Sequence, residues 1–325
     1  MRPALTNPWC NLDAKTITRY ERAVQRFDVW LAGRPASDQL AQEYVNGRWR
    51  HEAMGVSEMG DLLAALTRLH PGVAWPLLRV AHTRADVATP VAHYKPMPAI
   101  VLRAFAVVCF CWGLRSPRWL DIGLAAWLAF DCQAHPGEVL HARRRHLQLG
   151  SELMAPFGNL IIEDPKTAKR YARSQYVQFS ETFLLRCLEA RFRDPPPGHA
   201  IAPLFPFSRD PESFFRAHFD LVLGRLQIPT GHPHGLVPAG LRSGGATAFF
   251  QATGSLDRTQ WQGRWAQRRT LETYLQETAA ASLVADLPRG VRRLLTVLAQ
   301  GLPILLQDGL LPALSARRFE MYGSL

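Results

Sequence analysis

Three residues in the last third of the chain have types and spacings suited to chemistry at a phosphodiester. Arg242 stands in the run LRSGGAT at 241–247, Trp265 ends the run Gly-Arg-Trp, and Tyr274 follows it by nine positions (274 − 265). A guanidinium fork matches phosphate oxygens and stays charged, and a phenol can attack phosphorus to leave a covalent phosphotyrosine. The set therefore predicts cleavage of a phosphodiester with its bond energy retained for rejoining.

Such a cleavage, carried out without a metal, also needs a proton donor for the leaving 5′ oxygen. Lys166 and Lys169 lie in a basic turn between predicted strands at 160–163 and 176–179, and a lysine on such a hairpin suits this role. Each residue also has a plain structural interpretation. Tyr274 and Trp265 could be packing residues, Arg242 a helix cap, and Lys166 one more basic turn residue.

The elements that must position these side chains are mostly helical. Residues 13–33 form an amphipathic pattern that begins at Asp13 and ends before Gly33 and Pro35. Further helices are predicted at 38–51, 57–69, 75–84, 99–111 and 116–130. A turn at 133–140 opens a helix near Glu138, and the arginines at 143–145 are expected to end it. The glycines of the 241–247 run indicate that something approaches the backbone closely.

Composition limits the partners and the class of protein. With 325 residues the chain can form two domains, and its net charge of +11 with a pI of about 10.0 favours a polyanion such as nucleic acid. A merely basic surface, or attraction to an anionic membrane, would also give this charge. The region 291–314 is too interrupted to span a membrane, so a packed terminal helix pair, or a helix lent to a neighbouring subunit, is expected instead.

The cysteines do not indicate a metal site or a disulfide framework. There are five, mostly within apolar runs, which favours free thiols in a reducing compartment. Cys132, His135 and His141 could be imagined as metal ligands, but no second Cys/His pair completes a zinc pattern. We therefore expect no metal and no cofactor.

In the order and spacing of these segments the chain resembles the tyrosine recombinase family, also called phage-type integrases. The resemblance implies a mainly α fold with a small antiparallel β-sheet, in two domains. It implies a helical core-binding domain at 1–87, a linker at 88–98 and an α+β catalytic domain with C-terminal helices at 99–325.

The resemblance also implies a role for each site residue. Tyr274 is the nucleophile, Arg242 the second phosphate-binding arginine, and Trp265 a donor to the scissile phosphate. Lys166 is the hairpin general acid, and Glu138 is the acidic residue three positions after the first arginine. This chain departs from the pattern at two positions. His135 stands where the first arginine is expected, and Ala239 stands where the family has histidine.

The function expected from these features is binding of double-stranded DNA, with cutting and rejoining through a 3′-phosphotyrosine, its activity attenuated by the two departures. The leading alternative is a DNA-binding protein of the same fold that no longer cuts, and a helical scaffold unrelated to DNA is the third. A homotetramer on DNA, a mobile-element origin and an intracellular location with DNA follow from the family. The DNA contacts are expected from Lys15, Arg19, Arg22, Arg26, Lys169 and Arg264.

Overall fold

The computed structural model describes residues 7–51, 53–89, 94–163, 174–194, 198–307 and 311–316. The chain divides into two compact units, Met1–Ala92 and His93–Leu325. Lys166 and Lys169 lie outside the described residues, as does part of the predicted linker at 88–98.

The first unit is helical, as the apolar periodicity predicts. Asp13 begins its first helix by accepting a hydrogen bond from the Thr16 amide, and Ala32 ends it in a left-handed conformation with φ of 51°. The last helix runs four residues past its predicted end at 84. The helices are α1 Ala14–Leu31, α2 Asp38–Arg50, α3 Val56–Leu69 and α4 Pro76–Ala88. α1 packs against α3, and α2 packs against α4.

The second unit contains longer helices around a buried centre. Its helices up to the middle of the unit are α5 Ala99–Gly113, α6 Pro117–Asp131, α7 Pro136–Leu140, α8 Gly150–Leu153, α9 Thr182–Phe192 and α10 Pro211–Arg225. The later helices are α11 Gly240–Thr253, α12 Leu256–Gln262, α13 Arg268–Tyr274, α14 Glu277–Ala285, α15 Arg289–Leu305 and α16 Leu311–Ala316. α6 is buried on nearly all sides because α5, α9 and α11 pack around it.

A small antiparallel sheet lies beside these helices. Within the described residues it has the order β1 Leu147–Gln148, β2 Gly158–Glu163 and β3 Ser174–Phe179. Leu160 of β2 pairs with Val177 of β3, and both are buried. The mainly α fold with a small antiparallel sheet is therefore confirmed. The two predicted strands are each two residues longer than expected at their beginning, and the short β1 was not predicted.

The arginines at 143–145 do not end α7, which was the expectation from sequence. The helix ends at Leu140, residue 143 is extended and forms a β-bridge with Pro203, and Arg144–His146 form a 3₁₀ turn. The Arg144 side chain is buried and donates to the carbonyl oxygens of Leu147 and Phe192. These hydrogen bonds and an ion pair with Glu152, and not a helix dipole, fix this arginine.

The C-terminal region forms helices that pack onto the second unit. α15 lies against α5, and α16 lies against α9. Val291, Leu295 and Leu302 are the buried positions of α15, and they follow a helical spacing. None of the helices in the described parts of the chain is long and apolar enough to cross a membrane.

Candidate functional site

Two glycines of α11 allow this helix, which carries Arg242, to pack closely against other backbone segments. A Cβ atom on Gly244 would overlap the Met97 carbonyl oxygen, and one on Gly245 would overlap the carbonyl oxygen of Phe130. The close approach indicated by the small-residue run is therefore confirmed, and the approaching atoms belong to the chain's own backbone. Because α11 lies against these carbonyls, Arg242 is almost fully enclosed, with 6% of its surface exposed.

The Arg242 guanidinium joins segments that are far apart in the sequence. Nη1 donates to the carbonyl oxygen of Gln133, and Nη2 donates to that of Gly263 at 2.8 Å. The guanidinium carbon lies 4.4 Å from the Trp265 ring centre and 5.7 Å from the Tyr274 ring centre. Its Nε is buried and has no hydrogen-bond partner among the described residues. The group is anchored by one hydrogen bond from each Nη atom, while its buried Nε–H is unsatisfied by any described residue.

The rings of Trp265 and Tyr274 form a tilted pair that contacts this guanidinium. Their ring centres are 5.3 Å apart at an interplanar angle of 52°. Tyr274 is half-buried at the end of α13, and its carbonyl oxygen accepts a 3.4 Å hydrogen bond from Thr247 of α11. A Cβ atom on Gly263 would overlap the Trp265 ring, so the turn before this tryptophan requires glycine. The structure therefore brings the predicted arginine, tryptophan and tyrosine together.

The charge of Arg242 is perturbed by its surroundings. Burial, and after it the nearby positive charge of Arg264, lower the pKa of its guanidinium to about 10. Glu138 and Tyr274 act in the opposite direction. A pKa near 10 still leaves the group protonated at neutral pH, so a cation lies beside the phenol.

Glu138 connects the start of α7 to Arg264. Its Oε2 accepts a hydrogen bond from the His135 amide at 2.9 Å and lies 2.7 Å from Nη2 of Arg264. Arg264 Nη1 also donates to Gln175 Oε1 at 2.9 Å. Burial raises the pKa of Glu138, but the ion pair and hydrogen bond with Arg264 outweigh it, and the net pKa is lowered. The pair holds α7 to the turn before Trp265.

A cavity of about 960 Å³ opens beside these residues within the second unit. His135, Glu138, Ala239, Arg242 and Arg264 all contribute to its lining, so both departures from the family pattern lie at the same cavity. Trp265 and Tyr274 are not part of the lining. Both rings contact Arg242, and Arg242 does line the cavity.

The predicted DNA-contacting residues differ in how available their charges are. In α1, Arg19 pairs with Asp61 and Arg26 pairs with Glu58, both from α3. Lys15 and Arg22 are exposed. Arg264 has only 11% of its side chain exposed and is paired with Glu138. The expected row of free cations on α1 is therefore partly neutralised within its own unit.

Some residues that build the site could not be found from sequence. Gln133 is fully buried with φ of 49°, and its carbonyl oxygen accepts from Arg242, 109 positions away. Gln175 contacts Arg264 across 89 positions. No sequence pattern marks either glutamine. Within the described ranges, no three His, Cys, Asp or Glu side chains gather closely enough to hold a metal ion.

Comparison with solved structures identifies the class of fold. The Tn1549 transposon integrase in complex with transposon right-end DNA is 12% identical, with a TM-score of 0.56, over 84% of this chain and 93% of that chain. The XerH site-specific recombinase bound to a palindromic difH substrate, in a post-cleavage complex, is 11% identical, with a TM-score of 0.56, over 81% of this chain and 77% of that chain.

At these identities the likeness establishes the fold, which is that of the tyrosine recombinases. No protein-family model matches the sequence, and no curated protein matches it either.

Proposed function

We propose that this chain is a recombinase-like protein that binds double-stranded DNA and cuts and rejoins it through a 3′-phosphotyrosine at Tyr274. One observation carries the proposal. The Arg242 guanidinium contacts the rings of both Trp265 and Tyr274 and also lines a cavity open to solvent. A cation held between a phenol and a cavity can stabilise the negative charge that grows on a phosphate under attack.

The chemical step that we propose assigns one role to Tyr274 and another to Lys166. The Tyr274 Oη–phosphorus bond forms while the bond from phosphorus to the 5′ oxygen breaks, and the phenol proton passes to solvent. Lys166 gives a proton to the departing 5′ oxygen. Rejoining is the reverse: the 5′ hydroxyl attacks the phosphotyrosine and releases Tyr274. No nucleotide is needed for rejoining, because the phosphotyrosine retains the bond energy.

Duplex DNA is the proposed partner because the chain carries a net charge of +11. Both structural neighbours described above are complexes with DNA. Lys15 and Arg22 are exposed cations of α1 that form no ion pair with any described residue, and we propose that they contact phosphates. We also propose a homotetramer on two DNA sites. The location follows the DNA, in a nucleus or in a bacterial cytoplasm.

A DNA-binding protein that does not cut is the second candidate, and a specific observation favours it. His135 and Ala239 both line the cavity in place of an arginine and a histidine. Both Nη atoms of Arg242 already donate to backbone carbonyls, and only 6% of its surface is exposed, so few of its N–H groups can reach a ligand. Fewer donors would then reach a phosphate in the transition state than in a complete site.

A covalent adduct distinguishes the two candidates. The protein is incubated with duplexes that carry a nick flanked by randomised sequence, so that cleavage releases a short strand and traps the phosphotyrosine. Adducts are measured on denaturing gels. We expect an adduct from the native protein and none from Tyr274→Phe. Tyr176→Phe is the matched control, because Tyr176 is an exposed tyrosine of the same unit and its loss should leave the adduct unchanged.

The same assay tests whether His135 and Ala239 lower the activity. If they lower it, His135→Arg combined with Ala239→His should increase the rate of adduct formation. Absence of an adduct from both the native and the repaired protein, with salt-sensitive DNA binding intact, would establish the binding function alone. Absence of salt-sensitive DNA binding would refute both candidates and favour a scaffold unrelated to DNA.

A further inference from the structure

The arginines at the cavity are unequal in the charge that they can offer. Among the described residues, the arginines that line it are Arg143, Arg216, Arg242 and Arg264. Arg264 is paired with Glu138, and Arg216 is paired with Asp220 at 2.8 Å. Arg242 uses two donors on backbone carbonyls. Two of the four guanidiniums are therefore paired with a carboxylate, and that of Arg242 is almost fully buried.

Arg143 is the exception. Its side chain is exposed, and its guanidinium has no ion pair or hydrogen bond with any residue that the structure describes. Its backbone, by contrast, is firmly held. The Arg143 amide donates to Nδ1 of His146 at 3.1 Å, and residue 143 forms a β-bridge with Pro203. A fixed backbone under an uncommitted guanidinium is a suitable anchor for an anion.

The direction of the Arg143 side chain follows from its extended backbone. Its φ of −104° and ψ of 162° are those of a strand, in which consecutive side chains point to opposite sides. Arg144 is buried and donates to the Phe192 carbonyl oxygen at 3.1 Å. Arg143 is therefore directed away from this core and towards the cavity.

Two of the three described glutamates that line the cavity are paired with arginines, so their negative charges do not strongly oppose a bound anion. Glu138 is neutralised by Arg264, and Glu163 is paired with Arg145 at 3.1 Å. Glu212 is the remaining glutamate of the lining, and it is exposed. Since burial and pairing cancel most of the other charges, the exposed Arg143 is the main source of uncompensated positive charge among the lining arginines.

We propose that Arg143 binds a DNA backbone phosphate at this cavity and supplies the cation that His135 does not provide. The inference rests on the proposed function and names one residue that carries it out. A guanidinium can form a bidentate fork with a phosphate and stays charged at every physiological pH, whereas histidine does neither. The phosphate would then be bound at the cavity that Arg242 also lines.

The test compares charge removals at the same cavity. Binding of the full chain to short duplex DNA of mixed sequence is measured from about 50 to 200 mM salt, where phosphate contacts determine the slope of log affinity against log salt. Arg143→Gln should weaken binding several-fold and reduce the salt slope by about 1. Arg216→Gln removes the same charge from the same lining, but its guanidinium is paired, so affinity should change less than about twofold.

A rescue experiment shows whether an arginine at position 135 can replace Arg143 in binding a phosphate. His135→Arg in the Arg143→Gln background should restore affinity and salt slope. His141→Arg adds the same charge elsewhere on the lining and should not restore them. If adduct formation is detectable, Arg143→Gln should also slow it, with the same rescue.

Each outcome bears on the inference. Equal losses from Arg143→Gln and Arg216→Gln, in a protein that binds DNA, would overturn the role of Arg143 and leave the proposed function standing. A selective loss without any adduct would support Arg143 in a protein that binds and does not cut. Native protein that shows no salt-sensitive DNA binding would overturn the proposed function and this inference together.

Discussion

The Arg242 guanidinium carbon lies 4.4 Å from the centre of the Trp265 ring, close enough for a cation–π contact. The contact joins α11 to the turn that follows α12. The Tyr274 ring, 5.7 Å from the same carbon, adds α13 to the group. One cation therefore fixes the relative positions of three segments, and such a contact is worth about 2 kcal/mol when it is shielded from water.

Trp265→Phe separates two roles of the Trp265 ring, which are packing and donation of a hydrogen bond from its indole N–H. Phenylalanine keeps most of the packing against Arg242 and Tyr274 but has no N–H to donate. If the indole donates to the scissile phosphate, adduct formation should fall on the order of 100-fold, as for the loss of one transition-state donor. The cost in unfolding free energy should be only about 1–2 kcal/mol. Single-turnover kinetics measure the rate of adduct formation, and urea unfolding measures the unfolding free energy.

Leu271→Val serves as the control for packing, because Leu271 is fully buried in the same cluster and carries no donor. It should lower stability by a similar amount while adduct formation stays close to that of the native protein. Equal losses of activity in the two variants would show that Trp265 acts through packing alone.

The ion pair between Glu138 and Arg264 predicts a pH-dependent stability difference. Glu138→Gln leaves a largely buried guanidinium without its carboxylate and should lower the unfolding free energy by about 2 kcal/mol at pH 7. Because the pKa of Glu138 is lowered in the folded chain, this contribution is fully present above the ordinary glutamate pKa of about 4.3. It is lost as pH falls through the lowered value.

Urea unfolding of the native protein and of Glu138→Gln at pH 7 and at acidic pH measures this difference. The stability gap between them should close on acidification. Glu272→Gln is the matched control, since Glu272 pairs with Arg268 on the exposed surface of α13. Its effect should be small at every pH. A gap for Glu138→Gln that stays constant with pH would contradict the ion-pair explanation.

Gly245→Ala should be strongly destabilising because its new Cβ would overlap the Phe130 carbonyl oxygen. Backbone must move to relieve the overlap, and we expect a loss of about 2–3 kcal/mol in unfolding free energy. Gly301→Ala in α15 is the control, because a Cβ there meets nothing within 4 Å. That change should stabilise the chain by about 0.5–1 kcal/mol, from helix propensity alone. Thermal unfolding of both variants compares them directly.

The charges of α1 predict an uneven pattern of DNA affinity. Lys15→Gln and Arg22→Gln should each weaken binding and reduce the salt slope by about 1, because their charges are exposed and available to phosphates. Arg19→Gln should have less effect, since Asp61 already pairs with Arg19. Affinity measured over a salt series tests all three. Equal effects at the three positions would show that the pairing with α3 opens on binding.

Local sequence signals were sufficient for much of the fold. Asp13 and the apolar spacing of α1 predicted that helix because a cap and an amphipathic face act within a few turns. The β2–β3 pair was predicted from short apolar runs around a turn. β1 was not, since a strand as short as Leu147–Gln148 has no periodicity to detect and exists through its pairing with β2.

The sequence by itself determined which residues are able to act. The types and spacing of Arg242, Trp265 and Tyr274, the change to His135, and the excess of positive charge are all fixed along the chain. The tertiary structure alone decided which of them are free to act. Arg264 and Arg19 are held by carboxylates, while Arg143 faces the cavity without one among the described residues. The reason is that charge is set by residue type, whereas its availability depends on burial and on neighbours distant in sequence.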